Sequence, residues 1–288
     1  MSGCYDRPAS LETALRLLAA GGRRVLAGGT DVYPAHVGRP LGDGWLDISA
    51  VEGLRGIRSI PGGWSIGAAT TWTDLLRADL PPLFDALKAA AREIGGMQIQ
   101  NTGTLAGNLC NASPAADGTP VLMALDAQVV LQSVRGSRRI AVTDFVLGAR
   151  RTACAADELV VAIEVPARTA AARSAFVKLG GRRYLVISIT MVAVVVDVDE
   201  AGVVRHAGVA VGSCSAYAQR LPALERRLVG RPADPGLADR IDPADLAPLT
   251  PIDDLRASAA YRLDATATLI RRALADVRGE PVSAGALG

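Results

Sequence analysis

QIQNTGTLAGNLCNASPAAD, residues 98–117, differs in composition from everything around it in the 288-residue chain. The wider segment, 95–120, holds glycines, asparagines and small hydroxyl residues and few groups that can build a core. Such a segment inside a compact domain is either disordered or a binding loop. Apolar runs press in on both sides, so it reads as a binding loop set against the plainer alternative of an Asn/Gly-rich surface loop. Gly103 and Gly107 allow close backbone approach, and Thr104 and Asn108 can meet polar atoms with their side chains. Asp117 can accept hydrogen bonds from a sugar, whereas a carboxylate facing a pyrophosphate would be repelled. Together these groups suit a ligand rich in phosphate oxygens, ribose hydroxyls and a heterocycle.

Working back toward the N-terminus, a second glycine turn appears in LAGGTD, Leu26 to Asp31. It follows Arg24-Val25-Leu26-Ala27, which reads as a short buried strand. Gly28 and Gly29 free the backbone to turn, Thr30 adds a hydroxyl, and successive N–H groups there can form an anion-binding nest. An ordinary strand-to-turn junction is the competing reading. Before it, Ser10 opens a helix with Leu11, Ala14, Leu15 and Leu18 on one face and Gly21-Gly22 as its stop. Short strands follow at Leu46-Asp47-Ile48 and at residues 64–68, with a helix opening at Thr71 and another over 83–94.

Beyond the long segment, residues 121–125 read as helix, 128–131 as strand, and 158–165 as a strand closed by Pro166. Ala, Arg and Thr replace periodic apolar residues over 167–173, which marks a domain boundary. Residues 185–198 and 203–211 then read as antiparallel strands joined by the turn Asp199-Glu200-Ala201-Gly202. Helices are expected over 223–228 and 259–277, linked by the proline-rich stretch 231–251, and residues 279–288 read as a frayed tail.

Composition narrows the function. The 31 basic and 29 acidic residues leave a net charge of +2, and aromatics make up 4%. Neither a basic nucleic-acid face nor a base-stacking platform is expected. Cys4, Cys110, Cys154 and Cys214 form no cluster or zinc spacing and read as free thiols. His36 and His206 read as surface or loop residues. No GxGxxG or GxxxxGK[ST] is present, so any chemistry falls to a cofactor. The N-terminus lacks the pattern of a signal peptide, and the longest apolar run is too short to span a bilayer. A soluble, cytoplasmic protein is expected.

The two glycine segments in this order and spacing resemble the FAD-binding (medium) subunits of the xanthine dehydrogenase and carbon monoxide dehydrogenase family. DELVVAIEVP (157–166), KLGGRRYLVISI (178–189) and VGSCSAYAQRLPALE (211–225) extend the resemblance over nearly the whole chain. It implies an α+β fold. A FAD domain of the vanillyl-alcohol oxidase (PCMH) type would occupy 1–168, with subdomains 1–56 and 57–168, and a smaller antiparallel-sheet and helix domain 169–288.

By the same resemblance, Val25, Leu26, Ala27, Gly28, Gly29, Thr30, Asp31 and Val32 form the first pyrophosphate loop. Gly103, Thr104, Gly107, Asn108 and Asn111 line the second, with Ser113 nearby, and Asp117 holds the ribityl or ribose portion. Val160 and Lys178 match flavin-contacting positions, Lys178 near the isoalloxazine ring, although a solvated strand-end lysine is its plain reading. Tyr184 is a candidate to cover the ring. Three departures stand out: Gln100 and Thr102 where relatives often carry Arg, Ala106-Gly107 in place of a glycine pair, and no cysteine-bearing insertion over 121–136 of the kind that holds an extra cluster in 4-hydroxybenzoyl-CoA reductases. Ala106 should therefore avoid positive φ.

The implied role is electron transfer. Substrate oxidation occurs at molybdopterin on a large subunit, and electrons pass through two [2Fe-2S] clusters of a small subunit to FAD in this chain and on to an external acceptor. Two rivals remain at this level: a self-sufficient flavin oxidase and a non-catalytic nucleotide-binding module.

Overall fold

A computed structural model describes residues 5–42 and 44–277; the tail at 279–288 lies outside the described residues. Among them the helices are α1 Leu11–Ala19, α2 Val32–Ala35, α3 Trp72–Arg77, α4 Asp85–Glu93, α5 Met97–Thr102, α6 Leu105–Asn111, α7 Gly118–Ala124, α8 Val142–Phe145, α9 Pro222–Leu228 and α10 Ala259–Asp276. The strands are β1 Tyr5–Asp6, β2 Arg24–Leu26, β3 Trp45–Asp47, β4 Ile57–Ile60, β5 Gly63–Gly67, β6 Gln128–Ser133, β7 Gly136–Ala141, β8 Val146–Gly148, β9 Arg151–Thr152, β10 Leu159–Pro166, β11 Arg173–Gly180, β12 Ser188–Val198, β13 Val204–Gly212 and β14 Gln219–Arg220.

They form two compact units. The first comprises Met1–Ala78, Ile94–Ser113 and Asp126–Ala167; the second comprises Asp79–Glu93, Pro114–Leu125 and Arg168–Gly288. Helices α4 and α7 belong to the second unit, where they pack with the C-terminal sheet.

In the first unit, β1 and β2 flank β3 in a parallel sheet. Ser10 caps α1 by accepting from the Thr13 N–H. The helix then buries Ala14, Leu15 and Leu18 against Leu46, Ile48, Val51 and Leu54, as its periodicity predicts. The expected burial of the strand before the glycine turn is corrected: β2 lies at the sheet edge, so only Leu26 is buried and Val25 is exposed.

A five-stranded antiparallel sheet, in the order β4-β5-β10-β6-β7, makes up the rest of this unit's framework. β7 is invisible to apolar alternation because its sequence is GSRRIA. Its Arg138 and Arg139 pair with Glu158, just before β10, and with Glu164 on β10, placing charge along an edge strand that would otherwise invite further pairing.

In the second unit, β11, β12, β13 and β14 pair antiparallel in that order. β12 is largely apolar, and ten of its eleven residues are buried, since α10 and α7 both pack against it. Gly208 explains how α7 comes so close to β13: a Cβ there would lie 2.1 Å from the Ala124 carbonyl oxygen. The Arg220 guanidinium also donates to the Met123 carbonyl, fixing the C-terminal end of α7.

Three segment boundaries differ from expectation. The helix expected over 83–94 starts as a 3-10 turn, Pro82–Phe84, and continues as α4. The strand expected from residue 185 starts at Ser188, because Leu185 adopts a left-handed φ of +52°. β11 begins inside the presumed boundary segment, where Ser174 donates to the Leu83 carbonyl at 2.7 Å and accepts from the Ala86 N–H at 2.9 Å.

Candidate functional site

The long segment 95–120 is not an irregular loop, which corrects its sequence reading. It contains α5, α6 and the start of α7. Thr104 makes α6 possible by taking the Gly107 N–H at 2.9 Å, an N-cap bond that satisfies one orphan donor of the first turn. Leu105, Ala106 and Leu109 turn inward and anchor the helix, which ends at Ala112 in a left-handed conformation (φ +45°). Ala106 sits within α6 and keeps a negative φ, as its replacement of a glycine requires.

The two glycine segments meet inside the first unit. A Cβ on Gly28 would lie 1.9 Å from the Thr102 carbonyl oxygen and 3.0 Å from Gly103 Cα. A Cβ on Gly103 would approach Thr30 Oγ1 at 3.3 Å. Gly29 adopts φ +67° at the turn into α2, a conformation that glycine takes at least cost. Thr70 and Trp72 brace the second segment: the Leu105 N–H donates to the Thr70 carbonyl at 3.1 Å, and the Trp72 N–H to the Gly103 carbonyl at 3.2 Å. The first and second loops thus form one interlocked backbone surface, with glycine required by contact between the loops themselves.

Side chains on that surface differ in how they are engaged. Asn108 Oδ1 is buried and has no hydrogen-bond partner among the described residues. A buried acceptor left unsatisfied is costly, so it fits a site whose ligand brings a donor. Asn111 Oδ1 instead accepts from the Arg150 guanidinium, a partner that the sequence reading missed. Asp31 is exposed, and Val32 opens α2. Ser113 is half-buried at the end of the unit's second segment. Val160 is buried on β10 opposite Leu131.

The second unit assembles a different kind of cluster. Asp117 immediately precedes α7 and is buried, and Lys178 on β11 donates to its Oδ2 at 2.8 Å. The two side chains are only 7% and 6% exposed, so Lys178 is no solvated strand-end lysine. Ser188, the first residue of β12, donates to Asp117 Oδ1 at 3.0 Å and is itself buried. Burial pushes the Asp117 carboxyl above the ordinary range, while Lys178 and the Ser188 hydroxyl pull it back. Tyr184 lies in the β11–β12 connection, 60% exposed, with the Arg183 guanidinium 5.4 Å over its ring.

Ser188 escaped the sequence reading because a serine in an apolar run reads only as a polar interruption. Its one local signal was a hydroxyl at the start of a strand otherwise committed to burial.

Residues 1–168 match the family described as the FAD binding domain in molybdopterin dehydrogenase, and residues 175–277 match the CO dehydrogenase flavoprotein C-terminal domain. The chain belongs to this family. It is similar to the glyceraldehyde dehydrogenase medium chain of Sulfolobus acidocaldarius, 31% identical across 95% of this chain and 97% of that one. The nicotinate dehydrogenase FAD-subunit of Eubacterium barkeri is 36% identical across 72% of each chain. Among solved structures, the reconstituted CO dehydrogenase from Oligotropha carboxidovorans superposes with a TM-score of 0.89 at 28% identity, covering 98% of this chain and 99% of its own.

The chain is therefore a FAD-binding subunit of the molybdenum hydroxylase family, an oxidoreductase component with a FAD-binding domain and a C-terminal domain. Among the described residues no helix is long and apolar enough to cross a membrane. No group of three or more His, Cys, Asp or Glu side chains among them is placed to hold a metal ion.

Proposed function

We propose that this subunit relays electrons from [2Fe-2S] clusters of a small partner subunit through FAD to an external acceptor, serving a large subunit that oxidises substrate at molybdopterin. The observation that carries the reading is the interlocking of the two glycine segments, Gly28 against Thr102 and Gly103, in a chain that belongs to the family. FAD, when bound, supplies the ability to take electrons singly and release them in pairs.

The chain's own residues do the rest. In the first unit, Val25 to Val32 supply a turn whose backbone N–H groups suit one end of a pyrophosphate. Gly103, Thr104 and Gly107 offer close approach along α6, Asn108 offers its unsatisfied acceptor, and Asn111 and Ser113 flank them. In the second unit, Asp117 offers its carboxylate to sugar hydroxyls, and Lys178 holds a fixed positive charge in a buried setting. A cation so placed stabilises negative charge gained on reduction, and burial strengthens the effect. Val160 and Tyr184 complete the proposed flavin contacts, and the compartment is proposed to be the cytoplasm.

The test is co-expression of the full chain with its adjacent reading frames, followed by a visible spectrum and subunit count. The expected result is about one flavin per chain, on the analogy of the family, with cluster absorbance only when partners co-purify. Gly28→Val should lose FAD. A chain that oxidises an alcohol without partners, or that never takes up FAD, overturns the proposal.

A further inference from the structure

Ser188 has no role in the proposed cofactor set, yet it is the second donor to the carboxylate that holds Lys178. The geometry is specific. Ser188 Oγ donates to Asp117 Oδ1 at 3.0 Å while Lys178 Nζ donates to Oδ2 at 2.8 Å, so each carboxylate oxygen has its own partner. All three groups are buried in the second unit. They come from places 61 and 71 residues apart in sequence from Asp117.

The scaffold on either side is stiff. α7 is gripped at its C-terminal end, where Ala124 meets Gly208 of β13 and the Met123 carbonyl accepts from Arg220. Lys178 sits opposite Met191 in the β11–β12 ladder, and Ser188 lies opposite Gly180 after a register shift. Gly180 is confined by Val186, since a Cβ there would fall 2.4 Å from Val186 Cγ1. A carboxylate with only the lysine as partner can swing about its Cα–Cβ bond; with both oxygens engaged it cannot.

We infer that Ser188 is a positioning residue of the cofactor site: its hydroxyl locks the Asp117 carboxylate, and through it fixes where the Lys178 ammonium stands. The inference rests on the proposed placing of Lys178 near the flavin ring. It concerns the lock, not the ring contact.

The experiment uses the full chain, with FAD as the probe, and reads FAD dissociation constant, flavin midpoint potential and the thermal midpoint of the FAD-free protein. Ser188→Ala should weaken FAD binding by about tenfold, the order of one hydrogen bond's net worth, and lower the midpoint potential. Ser188→Cys keeps the size and a weak donor and should shift both quantities in the same direction by less. In a Lys178→Met background, Ser188→Ala should add little further shift in potential. Thr190→Ala is the control: it removes a buried hydroxyl from the same strand that bonds Thr266 and Cys214 instead, and should lower the thermal midpoint without moving the potential.

Unchanged affinity and potential in both Ser188 variants overturns the inference, whatever happens to the thermal midpoint. An equal shift in potential from Thr190→Ala also overturns it, because the effect would then be general loosening. Failure of the wild-type chain to bind FAD sinks the underlying cofactor proposal instead, and is recognised before any variant is made.

Discussion

The interlocked glycine segments of the first unit and the Asp117–Lys178–Ser188 cluster of the second solve opposite problems. The first brings backbone against backbone by leaving side chains out, so that Gly28 touches Thr102. The second buries a charge pair and must satisfy it, so each carboxylate oxygen of Asp117 has its own donor. The comparison teaches that one region fails when something is added and the other when something is removed.

The largest effect should come from breaking the pair. Lys178→Met leaves a buried carboxylate without its counter-ion and should cost about 3–5 kcal/mol in chemical denaturation of the FAD-free chain. Adding Asp117→Asn should return much of that loss, because the uncompensated charge disappears. If the double variant is as unstable as the sum of the singles, the cluster is not acting as a pair.

Next comes addition to the glycine contact. Gly28→Ala forces a Cβ into the Thr102 carbonyl and should cost about 1–3 kcal/mol, with FAD lost at the same time. Retained FAD at wild-type stability would show that the two segments can part without consequence. A smaller loss is expected at the α6 cap: Thr104→Ala removes the acceptor for the Gly107 N–H and should cost about 1 kcal/mol, largely restored by Thr104→Ser.

The smallest effect concerns acid. Asp254, half-buried and hydrogen-bonded by the Arg256 and Ala257 N–H groups and by the Arg256 and Arg262 side chains, has its carboxyl pulled down to about 2. Its folded-state pKa is depressed, so its contribution is present above the ordinary carboxylate range and is lost as pH falls toward 2. Asp117, pushed the other way by burial, binds its proton more readily folded than unfolded, and its protonation therefore favours the fold as pH falls. An acid titration of stability should show Asp254→Asn flattening the low-pH loss. An unchanged acid limb in that variant would deny Asp254 its share.

Much of the interlocked glycine surface was legible along the chain because its logic is local. Glycines at 28, 29, 103 and 107, with Thr104 and Asn108, announce close approach and polar donors without reference to distant residues. The same logic overreached at residues 95–120, where small polar residues suggested a loop. Thr104 capping and the inward Leu105 and Leu109 make helix instead. Strands β7 and β11 were missed because charged or mixed sequence becomes strand only when a neighbour is there to pair with it.

What the sequence determined by itself was membership of the family, read from the order of its segments along the chain, and the two glycine segments and the amphipathic helices, which depend on spacing within a few residues. Tertiary structure alone decided that Lys178 is buried rather than solvated, that Asp117 is its partner, and that Ser188 completes them. The physical reason is range: backbone freedom and helix capping act between neighbours in the chain, whereas burying a charge depends on which distant groups arrive to meet it.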